Sequence, residues 1–308
     1  MLAVFTGGTG GAKLIQGLSH EVDPAHLTIV CNTADDFVHH GLNISPDLDT
    51  IMYTLAGMSD SSKGWGIQGD TFTVLARLEE IGAETWFKIG DHDLATHIMR
   101  TQLLREGIPL SEITDKLRTR LAVKATILPM TDDLVETRVE TPLGQISFQE
   151  YFVKHRWQPE VKKIFYAAVD YSKPAPGVIE AIRNASRIII CPSNPVTSIG
   201  PILAVPGIRD AIKKATASVI GVSPIIADSA ISGPAHKMMA AQGWETSAAG
   251  VAKAYVDFLD TFVIDSSDEK LRGRIQGLGI KVAATSIRMD SNADKERLAR
   301  EVLALAEK

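Results

Sequence analysis

Along this chain, short runs that are apolar on nearly every residue alternate with stretches that are apolar only every third or fourth. Leu2 to Phe5, Leu27 to Cys31, Arg187 to Cys191, Val219 to Ala227 and Thr261 to Asp265 are of the first kind, and Lys281 to Ala284 extends the series. A strand without a polar face is buried on both sides, as in parallel sheets covered by helices. Between these runs, Leu14, Leu18 and Val22 share one helical stripe, as do Leu48, Ile51, Met52 and Leu55. Asp294 to Glu307 closes the chain as an amphipathic helix with Leu298, Val302 and Leu305 on one face. Strands alternating with helices predict an α/β, Rossmann-like, doubly wound and mostly parallel sheet, with ligands at the C-terminal ends of the strands.

The middle of the chain changes period. Lys124 to Met130 and Leu134 to Tyr151 alternate apolar and polar residues, with turn signals at Thr131-Asp-Asp133 and Thr141-Pro-Leu-Gly144. That pattern predicts antiparallel hairpins. The expected organisation is therefore a nucleotide-binding core formed by residues 1–120 and 176–308. An inserted hairpin-containing subdomain at 121–175 reads either as a cover for the ligand edge or as a surface hairpin.

The first strand runs directly into Gly7-Gly8-Thr9-Gly10-Gly11, just ahead of the Leu14 stripe. Glycines turn tightly and bring backbone N–H groups close to an anion, and the positive N-terminus of the following helix faces the same charge. The second strand ends in Asn32-Thr-Ala-Asp-Asp36, with Asp35 and Asp36 where a ribose-binding acid would sit. The glycine spacing completes neither GxGxxG nor a Walker A loop, because Leu14 follows Lys13. The loop reads as binding a nucleotide or a phosphate without saying which.

Composition narrows the classes. The 308 residues are 45% hydrophobic and 22% charged, as in an ordinary globular protein. A net charge of −5 gives no basic field to recruit nucleic acid. No apolar run reaches the length of a membrane span, and the first residues read as a core strand rather than a signal peptide. Cys31 and Cys191 each end a buried strand, so free thiols in a reducing cytoplasm are expected.

Four segments carry candidate chemistry. Ser45 and Pro46 start a helix whose first turn holds Asp47 and Asp49; Asp49 lies off the apolar stripe, near the helix mouth. With Asp35 and Asp36 it forms an oxygen-rich rim suited to Mg²⁺ on a diphosphate. In Phe87 to His97, Lys88 stands before the Gly90 turn, where it can meet an anionic or carbonyl-rich ligand, and Asp91 is placed to cap the next helix. Asp93 and His97, one turn apart, read as a solvated pair or as two zinc ligands lacking a third. Ser193 and Asn194 stand between two prolines after a buried strand, and Ala227 to Lys237 is another strand-end loop of small polar residues. His39 and His40, before Gly41, read as a proton shuttle or, more commonly for adjacent loop histidines, as solvent-facing residues. There is no GxSxG, HExxH or kinase-like set.

Phe5 to Lys13, Asn32 to Asp36, His40 to Asp49, Ile89 to His97 and Cys191 to Pro195 occur in this order, and together they resemble the 2-phospho-L-lactate transferase family (CofD) of coenzyme F420 biosynthesis. The likeness spans nearly the whole chain. It implies transfer of a 2-phospholactyl group from lactyl-2-diphospho-5′-guanosine to the deazaflavin Fo, with release of GMP and with Mg²⁺ as cofactor. It further implies that Asp49 and Lys88 contact Fo, with Asp49 accepting a ribityl hydroxyl and assisting its deprotonation. The backbone of Gly7, Gly8, Thr9, Gly10 and Gly11, with Ser193 and Asn194, is the candidate phosphate cradle. Asp35 and Asp36 are candidates for Mg²⁺ or for the nucleotide ribose. Small-molecule substrates are the expected partners, and apolar helix faces leave room for a homodimer. The gluconeogenesis-factor group, a nucleotide-sugar-binding regulator, shares the glycine loop. The Ser45 to Asp49 and Lys88 to His97 segments match the transferase better. An NAD-dependent oxidoreductase is disfavoured by the incomplete GxGxxG.

Overall fold

The computed structural model describes residues 1–60, 63–227, 229–230 and 233–305. In chain order the first strands are β1 (Leu2–Thr6), β2 (Leu27–Cys31), the short pair β3 (Phe37–His39) and β4 (Leu42–Ile44), and β5 (Thr126–Pro129). An antiparallel group follows, β6 (Glu136–Thr141), β7 (Gly144–Ser147) and β8 (Lys163–Ala167). The rest are β9 (Arg187–Ile190), β10 (Ser218–Val222), the two-residue β11 (Ile225–Ile226) and β12 (Ser229–Ala230), β13 (Thr261–Asp265) and β14 (Lys281–Thr285).

Seven strands form one parallel sheet in the order β14-β13-β10-β9-β1-β2-β5. Every residue of β1, β2, β10 and β13 is buried, the physical reason for their unbroken apolar character. Along β1, Leu2 and Val4 face one layer while Ala3 and Phe5 face the other, so the sheet separates two apolar clusters. The expected doubly wound α/β architecture is the observed one. The chain leaves β1 toward β2 and β5, then returns to β9 on the other side of β1. The crevice between β1 and β9 is thus a topological switch point, where open α/β sheets bind ligands.

Three local expectations are corrected. Thr126–Pro129, expected within an antiparallel hairpin, joins β2 in parallel register as the sheet's edge. Its alternating burial reflects one open face, not a hairpin. The run from Val219 stops at Val222, where Ser223 turns its hydroxyl onto the Ile225 backbone and Pro224 breaks the ladder. The last helix begins at Asn292, fixed by a capping box between Ser291 and Asp294, and spans Asn292–Ala304. Glu307 lies outside the described residues. The β6–β7 hairpin does form around Thr141 to Gly144. It packs Val139, Phe148 and Tyr151 into the same cluster as Phe5 and Ile190. Both cysteines are free and buried.

Candidate functional site

The glycine loop leads from β1 into α1 (Gly8–Glu21), with Gly7 as its N-cap. Two close approaches explain why side chains are missing here. A Cβ on Gly10 would lie 2.7 Å from the Pro192 carbonyl oxygen, and one on Gly11 would lie 1.8 Å from Thr6 Oγ1 and 2.7 Å from Ser193 Oγ. The loop is therefore pressed against the segment after β9. Ser193 Oγ accepts the Gly7 N–H at 3.3 Å. Asn194 turns its own loop, its Oδ1 accepting the N–H groups of Val196 at 2.9 Å and Thr197 at 3.2 Å.

The helix α2 (Pro46–Leu55) brings its first turn to the same place. Asp47 accepts from Asn32 Nδ2 at 3.0 Å, and the same nitrogen donates to the Thr197 carbonyl at 3.2 Å. Asn32 Oδ1 in turn accepts the Ala34 N–H at 3.0 Å. This fully buried amide thus ties together the ends of β2 and β9 and the start of α2. Ser45 holds the N-cap position, but its hydroxyl donates to Asp36 Oδ2 at 2.6 Å rather than to its own helix.

These segments wall a cavity of about 640 Å³. Of the residues singled out from the sequence, Gly7, Gly8, Thr9, Gly10, Asp35, Lys88, Ser193 and Asn194 line it together. Gly11, Asp36 and Asp49 are not on its wall. Gly11 serves close packing, and Asp36 turns toward Ser45. Asp47, taken from its position as an ordinary first-turn acid, does line the cavity.

Asp49 points into the interior between α2 and α4 (Asp91–Arg105), where Arg100 donates to both of its carboxylate oxygens, Nη1 to Oδ2 at 3.0 Å. His97, 1% exposed, sits between Asp49 and Asp93, and Tyr53 donates to Asp93 at 2.7 Å. Burial opposes ionisation of Asp93, but bonds from His97 and Tyr53 hold it below the usual carboxylate range. The Asp93–His97 pair is therefore a buried element, not a solvated one. Asp49 supplies the third donor within 4.8 Å that a zinc site would need. Arg100 already stands among these groups, its Nη1 3.2 Å from His97 Nδ1, and it provides the balancing positive charge.

The capping expectation at Asp91 is corrected too. Its carboxylate accepts from Thr73 N and Val74 N at the start of α3 (Thr73–Glu80), while Asp70 accepts from His92 N and Asp93 N at the start of α4. The two helices exchange caps across a loop. His39, expected in solvent, is 6% exposed and packs against Trp86 with ring centroids 5.1 Å apart. Asp228, Ile231 and Ser232 of the Ala227 to Lys237 loop lie outside the described residues.

Two carboxylates, Asp35 and Asp47, stand on the polar wall beside the glycine loop. Burial, with Asp47 beside it, pushes Asp35 well above the usual carboxylate range, and its Oδ1 is buried without a hydrogen-bond partner. Burial lifts Asp47 to about 6 despite bonds from Asn32 and the Gly8 N–H. Acids at the mouth of a glycine loop repel phosphate unless a cation stands between them. Paired carboxylate oxygens are the donors that hard divalent ions take. The donor set thus fits Mg²⁺, with Asp35 and Asp47 as the residues that would hold it.

The rest of the wall was not legible as a site. Trp65, Trp86 and Phe87 line it from the segments before α4, and Phe148, Phe152 and Arg156 line it from the antiparallel group. Phe148 and Phe152 stack with centroids 5.5 Å apart and planes 15° apart, and Phe152 stacks on Trp157 at 5.3 Å. Arg156 and Trp157 both have positive φ, 49° and 47°. A left-handed conformation costs a side-chain-bearing residue roughly 1–2 kcal/mol.

The whole described chain fits known proteins. The family model for 2-phospho-L-lactate transferase CofD matches residues 2–305. A protein named 2-phospho-L-lactate transferase from Methanosarcina mazei is 42% identical over 298 residues, 97% of this chain and 98% of the relative. One named phosphoenolpyruvate transferase from Streptomyces griseus is 43% identical over 312 residues, 99% of this chain and 98% of the relative. A solved structure of a UPF0052-family member from Bacillus halodurans is similar with a TM-score of 0.66 over 98% of each chain at 18% identity, a likeness of fold. A glycine loop, two cavity-facing carboxylates and an aromatic wall at the switch point are thus carried by a chain that belongs to the CofD family of 2-phospho-L-lactate transferases.

Proposed function

We propose that the protein joins a phosphorylated three-carbon acid to the deazaflavin Fo, taking the group from a guanosine diphosphate diester and releasing GMP. The observation that carries this reading is the mixed character of one cavity. Glycine-loop N–H groups and paired acids suit a metal-bound diphosphate, and flat aromatic walls beside Lys88 suit a heteroaromatic acceptor. A terminal ribityl oxygen of Fo attacks the phosphorus that bears the acid. The bond from that phosphorus to the bridging oxygen breaks, GMP leaves with the electron pair, and the hydroxyl proton is lost to the medium or to a cavity base.

The chain's own residues position this reaction. The α1 N-terminus and the loop from Gly7 to Gly10 hold the diphosphate, Ser193 and Asn194 fix the facing loop, and Lys88 meets the polar edge of Fo. Mg²⁺ held by Asp35 and Asp47 would neutralise charge developing on the leaving phosphate. Asp49 enters through α2, its pair with Arg100 fixing the turn that carries Asp47. Two free buried thiols fit a reducing cytoplasm.

The relatives' names divide between phospholactate and phosphoenolpyruvate at almost equal identity. The donor must therefore be read by experiment. Purified protein with Fo, Mg²⁺ and either the lactyl or the enolpyruvyl diphosphoguanosine should form the corresponding phosphodiester of Fo, detected by mass spectrometry together with GMP. EDTA should suppress it. Failure with both donors, nucleotide binding intact, would move the protein to a binding role.

A further inference from the structure

Among the described residues, the cavity wall carries three cations, Lys63, Lys88 and Arg156. Lys63 is paired with Asp60 at 3.0 Å and lies over the rings of Trp65 and Phe72. Lys88 and Arg156 line the cavity as exposed side chains, and among the described residues no ion pair joins either of them to a carboxylate. A cation that a folded chain leaves unpaired on a cavity wall is available to an anionic ligand.

The backbone beneath Arg156 is held firmly. It and Trp157 are consecutive residues with positive φ, an arrangement that persists only when the surroundings over-determine it. Here they do. The Trp157 N–H donates to the Tyr151 carbonyl at 2.9 Å. The Trp157 carbonyl accepts both the Tyr151 hydroxyl at 3.1 Å and Lys237 Nζ at 2.7 Å. The Trp157 ring continues the Phe148–Phe152 stack. Strained backbone held in this way recurs at ligand clamps, and here it fixes the point from which the Arg156 side chain departs.

The donor has two anionic parts, a diphosphate and a carboxylate. The glycine loop and the paired acids with their metal account for the first and leave the second without a partner. We infer that Arg156 forms the subsite for the carboxylate of the transferred three-carbon acid. A guanidinium binds a carboxylate through two parallel N–H···O bonds, which a lysine cannot do. The lactyl and enolpyruvyl forms share that carboxylate, so one subsite serves both. This inference rests on the transferase reading.

A comparison of two ligands tests it. Lactyl-2-diphospho-5′-guanosine and the ethyl diester of GDP, which lacks only the carboxylate, are titrated calorimetrically with Mg²⁺ and without Fo. Wild-type protein should bind the lactyl form about 10- to 100-fold more tightly, the range for charge-assisted hydrogen bonds. Arg156→Gln should reduce that preference to near unity by weakening the lactyl form alone, and Arg156→Lys should keep part of it. Arg156→Gly retains the turn and should behave like Arg156→Gln, which separates side chain from backbone.

A preference unchanged in Arg156→Gln and Arg156→Gly, or absent from wild type, overturns the assignment. Equal weakening of both ligands overturns it too and gives Arg156 to the diphosphate. A wild type that prefers the lactyl form yet makes no product with Fo refutes the transferase reading while leaving the subsite standing. Binding of neither ligand refutes both.

Discussion

Arg100 Nη1 lies 3.0 Å from Asp49 Oδ2, with the second guanidinium nitrogen on Oδ1, and the two residues are 1% and 5% exposed. Such a pair contributes little beyond an apolar pair of the same shape, but losing one partner leaves a buried charge uncompensated. Arg100→Met should therefore lower stability by roughly 3–5 kcal/mol. Adding Asp49→Asn to it should restore part of the loss. Urea unfolding of the two singles and the double would show this; equal loss in the double and in Arg100→Met would remove the coupling.

Asp49→Asn alone carries the functional prediction. Turnover measured on folded protein should be abolished or greatly depressed. The expected route is displacement of Asp47 at the other side of the same helical turn, so the response of the protein to Mg²⁺ should weaken as well. Full turnover in this variant would remove Asp49 from the mechanism.

A metal response follows from Asp35 and Asp47. Burial raises both carboxyls, and the Asp47 charge raises Asp35 further. A cation between them would relieve that repulsion and bind the folded state alone, raising Tm with concentration. Wild type should gain Tm on titration with Mg²⁺ and lose the gain with EDTA. Asp47→Asn should be at least as stable as wild type without metal, because it removes the repulsion, and should not respond to Mg²⁺. A flat wild-type titration would eliminate the site.

The glycine loop gives two contrasting substitutions. Gly8 has φ +67°, and a Cβ there would meet only Asp47 Oδ1 at 3.9 Å. Gly8→Ala thus costs conformation alone, roughly 1 kcal/mol. Gly11→Ala must push into Thr6, the last residue of β1, and Ser193, which follows β9. It should be far more damaging to folding. Chemical unfolding of both variants would show whether this order holds.

Much of the frame was readable because burial on both faces leaves a plain apolar signature, as in β1 and β13. β5 was not, since an edge strand with one open face alternates just as a hairpin strand does. The exchanged caps were hidden because Asp91 and Asp70 each lie beside one helix in sequence and serve another in space. Arg100, in the middle of a polar helix, carries no local sign that it is buried. Asp47 satisfied an ordinary first-turn rule, so its cavity role needed Asn32 and Gly8 brought against it. Arg156 and the aromatic wall converge from segments more than sixty residues apart, a relation that no periodicity encodes.

His39 makes stability depend on pH in a definite direction. Burial first, and His40 second, lower its pKa from 6.5 to about 4. Its Nε2 is buried without a hydrogen-bond partner, and its neighbours are the rings of Phe37, His40, Trp86 and Phe87, with Glu84 and Lys154 acting at longer range. Between about pH 4 and 6.5 the unfolded chain holds a proton here that the folded chain does not. Stability from this residue is therefore complete above pH 6.5 and falls as the pH drops toward 4, by ~2–3 kcal/mol at pH 4.5. Asp47, with a raised pKa, titrates in the opposite sense over the same range, so the wild-type curve alone would understate the effect. The difference between wild type and His39→Phe isolates it, since Asp47 is common to both. Urea unfolding at pH 7.5 and pH 4.5, followed by tryptophan fluorescence from the adjoining Trp86, should show His39→Phe gaining on wild type at the lower pH. An identical pH dependence in the two proteins would mean that His39 is hydrated in solution and that the aromatic wall behind Trp86 is open to water.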